Sequence, residues 1–159
     1  MINMGFKLYK FTIDAPTTVN KTKSYLMPLD KTIGTRFRIK RMWLAVPGLD
    51  AITATDQIGI QIHRSSTRNE ETTFLSIVDE NEIFTKVFDF HLAEAALTNL
   101  YDPSVEIEVP NIEGTLLNCS DKNYMTRLVT GQAAAKVTYV KILGQYENAD
   151  AEDWNHNKL

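Results

Sequence analysis

A single cysteine, Cys119, stands in 159 residues, so neither an intrachain disulfide nor a cysteine-built zinc site can form. This excludes the small fold held together by cystines and points to a reducing compartment. No run approaches the roughly 20 apolar residues that a membrane-spanning helix needs. Lysines at 7 and 10 interrupt the opening MINMGFKLYKFTID, from which no secretory signal is expected. Histidines number three, His63, His91 and His156, too few and too scattered for a metal-ligand set, and each reads as a satisfied or solvent-facing imidazole. No HExxH, GxSxG, P-loop or GxGxxG pattern occurs, which removes the usual mechanics of zinc peptidases, serine hydrolases and nucleotide binding. No catalytic residue, cofactor or metal is therefore assigned, and an enzyme is not expected.

What the chain does have is alternation. Ile58-Gly59-Ile60-Gln61-Ile62-His63 carries an apolar residue at every second position, Val105-Glu106-Ile107-Glu108-Val109 repeats the pattern, and Ala135 to Glu147 (AKVTYVKILGQYE) extends it. A period of two marks half-buried strands, apolar toward a core and polar toward water. Further strands are predicted at 6–13, 33–46, 74–78, 83–90, about 114–118 and about 124–130. Residues 17–31 read as a long loop or irregular edge, 65–72 as a polar loop and Asp79-Glu80-Asn81-Glu82 as a charged turn between two short strands. Leu92 to Leu100 (LAEAALTNL) is the best helical stretch and reads as a short connector helix. Eight or nine short strands with one helix predict an all-β antiparallel sandwich, jelly-roll in layout, over residues 1–147, with a polar acidic tail at 148–159.

Charge is distributed unevenly along the chain. Residues 1–68 hold eleven basic and four acidic side chains, a net +7, whereas 69–159 hold six and sixteen, a net −10. Arg36, Arg38 and Lys40 share one face of a strand and would form a basic stripe about 14 Å long, at a rise of about 3.4 Å per residue. Such a stripe can meet phosphates, meet carboxylates of a neighbouring copy, or stay solvated; the low aromatic content and negative net charge disfavour direct nucleic-acid contact. Past Lys40 the same parity continues as Met42, Leu44 and Val46. One face thus changes from basic to apolar, either because the strand passes from a subunit boundary into the core or because a bulge lies near Arg41. Trp43 faces the other way and reads as core, with an aromatic contact anchor as the alternative. Trp154, alone in a polar segment, is either exposed or docks on an adjacent subunit. Arg36, Arg38, Lys40 and Trp154 are the candidate subunit contacts.

Ile33 to Val46 (IGTRFRIKRMWLAV), Asp56 to Ser66 (DQIGIQIHRSS), Val105 to Leu117 (VEIEVPNIEGTLL) and Lys136 to Glu147 (KVTYVKILGQYE) together resemble single-domain structural proteins of viral and bacteriophage particles, whether jelly-roll capsid subunits or sandwich proteins that decorate a capsid. The resemblance lies in layout and texture across most of the chain, with no signature motif. It implies a homo-oligomeric virion protein, assembled in the host cytoplasm, whose partners are copies of itself and other capsid proteins, with no membrane partner. The opening MINMGFKLYK contains only two lysines, unlike the strongly basic arms of many small RNA-virus capsid proteins, so the resemblance favours a shell or decorating role over genome packaging. The alternative from another class is a non-catalytic carbohydrate- or receptor-binding sandwich.

Overall fold

The computed structural model describes residues 5–30, 34–45, 57–89 and 106–148. Among the described residues nine strands form: β1 (Phe6–Ile13), β2 (Thr22–Leu26), β3 (Thr35–Ala45), β4 (Gln57–Arg64), β5 (Glu82–Asp89), β6 (Glu106–Glu108), β7 (Leu116–Asn118), β8 (Asn123–Thr130) and β9 (Thr138–Asn148). A 3-10 turn at Gly131–Ala135 ends on the first residue of the predicted last strand, which begins instead at Thr138. The connector helix at 92–100 and the tail beyond 148, Trp154 included, lie outside the described residues.

The first half of the chain pairs antiparallel with the second, as in a folded ribbon: β1 with β9, β2 with β8, β3 with β6 and β7, and β4 with β5. The ribbon closes on itself through two further antiparallel pairings, β3 with β9 and β4 with β8. Sheet I therefore runs β1-β9-β3-β6, with β7 also on β3, and sheet II runs β2-β8-β4-β5. This is a jelly roll.

Between the sheets lies one apolar core, in which Phe37, Ile39, Met42 and Leu44 of β3 meet Ile58, Ile60 and Ile62 of β4, Met125 and Val129 of β8, and Val140 and Ile142 of β9. Gly144 is required by close packing. A Cβ there would collide with the Phe37 ring and stand 2.7 Å from the Arg38 carbonyl oxygen. Among the described residues one cation enters this interior. Arg127, fully buried, donates to the carbonyl oxygens of Lys136 and Ala134 and, at 3.3 Å, to Thr138 Oγ1. It thereby ties β8 of sheet II to the 3-10 turn and to β9 of sheet I, and burial pushes its pKa down to about 10.

Several local expectations are corrected. Strand β4 is buried on both faces, because residues 68–75 fold back over sheet II. Phe74 lies against Gly59, and the Gln61 side chain clasps the backbone of Leu75, donating from Nε2 to its carbonyl oxygen (3.0 Å) and accepting from its N–H (3.0 Å). Residues 74–78 accordingly form loop, not strand. Within the region read as loop or irregular edge, residues 22–26 form edge strand β2. Its Thr22 exchanges backbone hydrogen bonds with Glu70 and Glu71, so the returning loop covers that edge. His63 is fully buried, stacks on Tyr124 and bonds through Nε2 to Thr126 Oγ1 at 2.5 Å. It is a satisfied imidazole, and it does not face solvent.

Two predictions follow from this packing. Gly144→Ala should destabilise the fold by about 1–3 kcal/mol, the usual range for overpacking. An unchanged urea midpoint would mean that Phe37 is not seated on Gly144. The second concerns pH. Burial holds the His63 pKa below its ordinary 6.5, despite a weak bond to the Arg64 carbonyl oxygen. The unfolded chain then takes up this proton first, so the contribution is intact above about pH 6.5 and is lost as pH falls through the folded value. Glu70, Glu108 and Glu147 have folded pKa values below the ordinary 4.5, so their contributions are lost only at lower pH. Urea midpoints compared between pH 7.5 and 5.5 should therefore decline for the native chain and stay flat for His63→Gln; parallel declines would remove His63 from the account.

Candidate functional site

The outer face of sheet I carries the predicted stripe, and a bulge decides its composition. The β3–β9 register slips between Ile39 and Arg41, leaving Lys40 as the extra residue. Before the bulge Phe37 and Ile39 point inward; after it Met42 and Leu44 do. Of the two explanations for the change of face, the bulge is the one that holds. Lys40 and Arg41 both face out, and Trp43 follows them. The reading of Trp43 as core is thereby corrected: it is half-buried on the outer face, with the Arg41 guanidinium 5.1 Å and the Lys141 ammonium 4.8 Å from its ring centroid.

Arg36 and Arg38 are brought together by Glu147, a residue that no sequence pattern singles out. Arg36 Nη2 reaches Glu147 Oε1 at 3.2 Å, while Arg38 grips both carboxylate oxygens at 3.0 and 3.1 Å. Arg41 makes a similar two-pronged pair with Glu108 at 2.8 and 2.9 Å. Hydrogen bonds from these arginines hold both carboxyls below the ordinary carboxylate range, against the opposing effect of desolvation. Arg36 and Arg38, two of the three stripe residues, are thus paired within the protomer. Lys40 makes no ion pair among the described residues, though it lies close enough to Glu147 to favour its charge.

Around these cations lies apolar surface that sequence reading did not pick out. On β1 the outward positions are Phe6, Leu8, Lys10 and Thr12; on β9 they are Tyr139, Lys141, Leu143, Gln145 and Glu147. Register sets Leu8 beside Leu143 and Leu143 beside Arg41, with Lys10, Lys141 and Trp43 in the next row. Phe6 is 61% exposed and Leu8 51%. An open groove of ≈ 720 Å³ runs between Phe6, Lys40, Arg41, Leu143 and the turn at 108–113. A smaller depression of ≈ 300 Å³ lies over Ala45, between Trp43 and Tyr139, with Lys10 and Lys141 on its walls. The available signal was the outward parity of β1 and β9, which becomes informative once their pairing is known.

No protein-family model and no curated protein matches the chain. Its fold is similar to that in a structure of turnip yellow mosaic virus, at 15% identity, 92% of this chain against 96% of that one and a TM-score of 0.39. It is also similar to VP1 of the Trichodysplasia spinulosa-associated polyomavirus, solved with GM1 oligosaccharide, at 7% identity, 89% against 94% and 0.43. A third likeness is to the decameric BFDV capsid protein, at 13% identity, 89% against 93% and 0.36. These are likenesses of architecture and assign no function. The residues must supply that argument.

Chemically, the face offers cations around an apolar centre. Elsewhere, among the described residues, no group of three or more His, Cys, Asp or Glu side chains could hold a metal ion. Cys119 is buried, and burial pushes its thiol pKa up, away from the reactive thiolate. The stripe's pairs are partly exposed, so their energies should be small. A double-mutant cycle on Arg38→Gln and Glu147→Gln should give a coupling of about 0.5–1 kcal/mol that shrinks in 1 M salt. A coupling of several kcal/mol, insensitive to salt, would show that the pair is a structural element of the fold.

Proposed function

We propose that this chain is a virion structural protein that self-assembles into, or decorates, a capsid shell, and that the outer face of sheet I is its principal contact surface. The observation that carries the reading is the inequality of the two sheets. Sheet II is roofed by the chain's own residues 68–75, whereas the described part of sheet I presents Phe6 and Leu8 with Lys10, Lys40, Arg41 and Lys141 around them. Contiguous exposed apolar surface rimmed by charge marks a protein contact. The jelly roll is an architecture that shells and lectins both use, so it is compatible with this role without dictating it. Arg36, Arg38 and Lys40 serve as contact residues in this reading, with the two arginines held in place by Glu147. Trp154 remains a proposed contact, through a tail that docks on the next subunit. Copies of itself and other capsid proteins are the partners, and the virion, assembled in the host cytoplasm, is the location.

A second reading, a non-catalytic glycan- or receptor-binding module, is favoured by the depression between Trp43 and Tyr139. Against it, the Trp43 ring already has two cations over it, which leaves little aromatic face for a sugar to stack on.

Light scattering across protein concentration and salt, with electron microscopy of any large species, separates the two. Discrete rings, capsomers or shells that weaken as salt rises are expected. A mass fixed at 18.1 kDa under every condition, with no binding to preformed shells, would overturn assembly. Glycan-array binding that is lost in Trp43→Ala would favour the second reading.

A further inference from the structure

We infer that copies join head to tail, the acidic tip at residues 76–82 of one seating on the outer face of sheet I of the next. The inference rests on the self-assembly reading and names the surfaces that meet. The tip is a formed knob. Asp79 N–H donates to the Ser76 carbonyl oxygen (2.9 Å), Glu82 N–H to that of Asp79 (3.1 Å), and Asn81 N–H to Asp79 Oδ1 (2.8 Å). Arg64 anchors it to β4, its backbone N–H donating to the Asn81 carbonyl oxygen at 2.8 Å and its guanidinium to that of Glu80 at 2.6 Å. Held in this way, the tip presents Ile77, 76% exposed, and Val78, 88% exposed, beside the exposed carboxylate of Glu80. No other large apolar side chains among the described residues are so exposed. A knob fixed before binding has little ordering entropy to lose.

The face is its complement. Phe6, Leu8 and Leu143 offer an apolar centre for Ile77 and Val78, and Lys10, Lys40 and Lys141 offer cations for Glu80 and its acidic neighbours. Lys10 of β1 and Lys40 of β3 come from the basic first part of the chain, joined on the face by Lys141 of β9, and the tip belongs to the acidic second part, so much of the uneven charge along the sequence falls on two surfaces of opposite character. The tip stands where β4 gives way to β5 in sheet II, and the face belongs to sheet I. The contact is therefore heterologous, and repetition makes a ring if the rotation closes and a filament if it does not. A seven-residue knob buries far less than the roughly 1,600 Å² of a stable pairwise interface, so each contact is weak and repetition supplies the avidity.

The test uses the full chain. Val78→Cys and Leu143→Cys variants, one carrying a mass tag, are mixed and cross-linked with a short bismaleimide; Cys119 is buried and stays out of the reaction. A tagged–untagged dimer formed only in the mixture is expected. Independently, Lys40→Glu should weaken assembly by about tenfold, and adding Glu80→Lys to the same chain should recover most of it. Assembly that persists without the cross-link and without response to charge reversal would overturn this contact and leave self-assembly standing. Absence of assembly in the native chain would overturn both. Binding of the face to phosphatidylserine vesicles or to an oligonucleotide, lost in Lys40→Glu with no mixed cross-link, would assign it to a polyanion instead.

Discussion

One extra residue in β3 determines what both sides of sheet I can be. Up to Ile39 the strand buries its odd-numbered residues; beyond Lys40 it buries its even-numbered ones. Without that slip, a strictly alternating strand would send Met42 and Leu44, both fully buried, toward solvent and turn Arg41 and Trp43 into the core. The cost of an unsatisfied guanidinium in that core would be several kcal/mol. The bulge thus serves the core and the surface together. It preserves the contact of β3 with the isoleucines of β4, and it gathers Lys40, Arg41 and Trp43 on one outer face.

Sheet II meets the opposite problem with a different solution. Its outer positions include Gln61, His63 and Thr126, all fully buried, which would be costly if left unpartnered. The returning chain supplies the partners. Gln61 pairs with Leu75 as a strand would, and His63, Thr126 and Ser24 form a chain of hydrogen bonds of 2.5 and 2.6 Å that continues to the Arg68 N–H. The roof and the polar residues beneath it are mutually dependent: the residues satisfy the roof's backbone, and the roof keeps water from them. The same segment then ends in the exposed tip at 76–82, so the element that closes one sheet also projects a knob from the molecule.

Most strands were legible because burial on one face of a sheet writes a period of two into the chain. β1, β3, β4, β8 and β9 all carry it. Where the period failed, tertiary contacts had overridden it. Phe74 to Val78 has the composition of a strand, yet its Leu75 backbone is claimed by a side chain and its last two residues are left in solvent. Thr22 to Leu26 reads as loop on composition, but β8 on one side and Glu70 with Glu71 on the other satisfy its backbone. Of the candidate contact residues, Arg36, Arg38 and Lys40 were legible as a stripe, while Glu147, the partner of Arg36 and Arg38, and Glu108, the partner of the adjacent Arg41, lie about 110 and 70 residues away in sequence from the arginines they hold and were not.

By itself the sequence determined the class of fold, because alternation, length and the absence of cystine leave a two-sheet sandwich as the way to bury these side chains. It also determined the charge asymmetry and the basic stripe, since both follow from residue order. Tertiary structure alone decided which sheet the returning loop covers, that the change of face in β3 is a bulge and not a passage from a boundary into the core, and which carboxylates neutralise which arginines. Each of these depends on strand order and register, which arise from contacts between residues far apart in the chain. No local pattern encodes them.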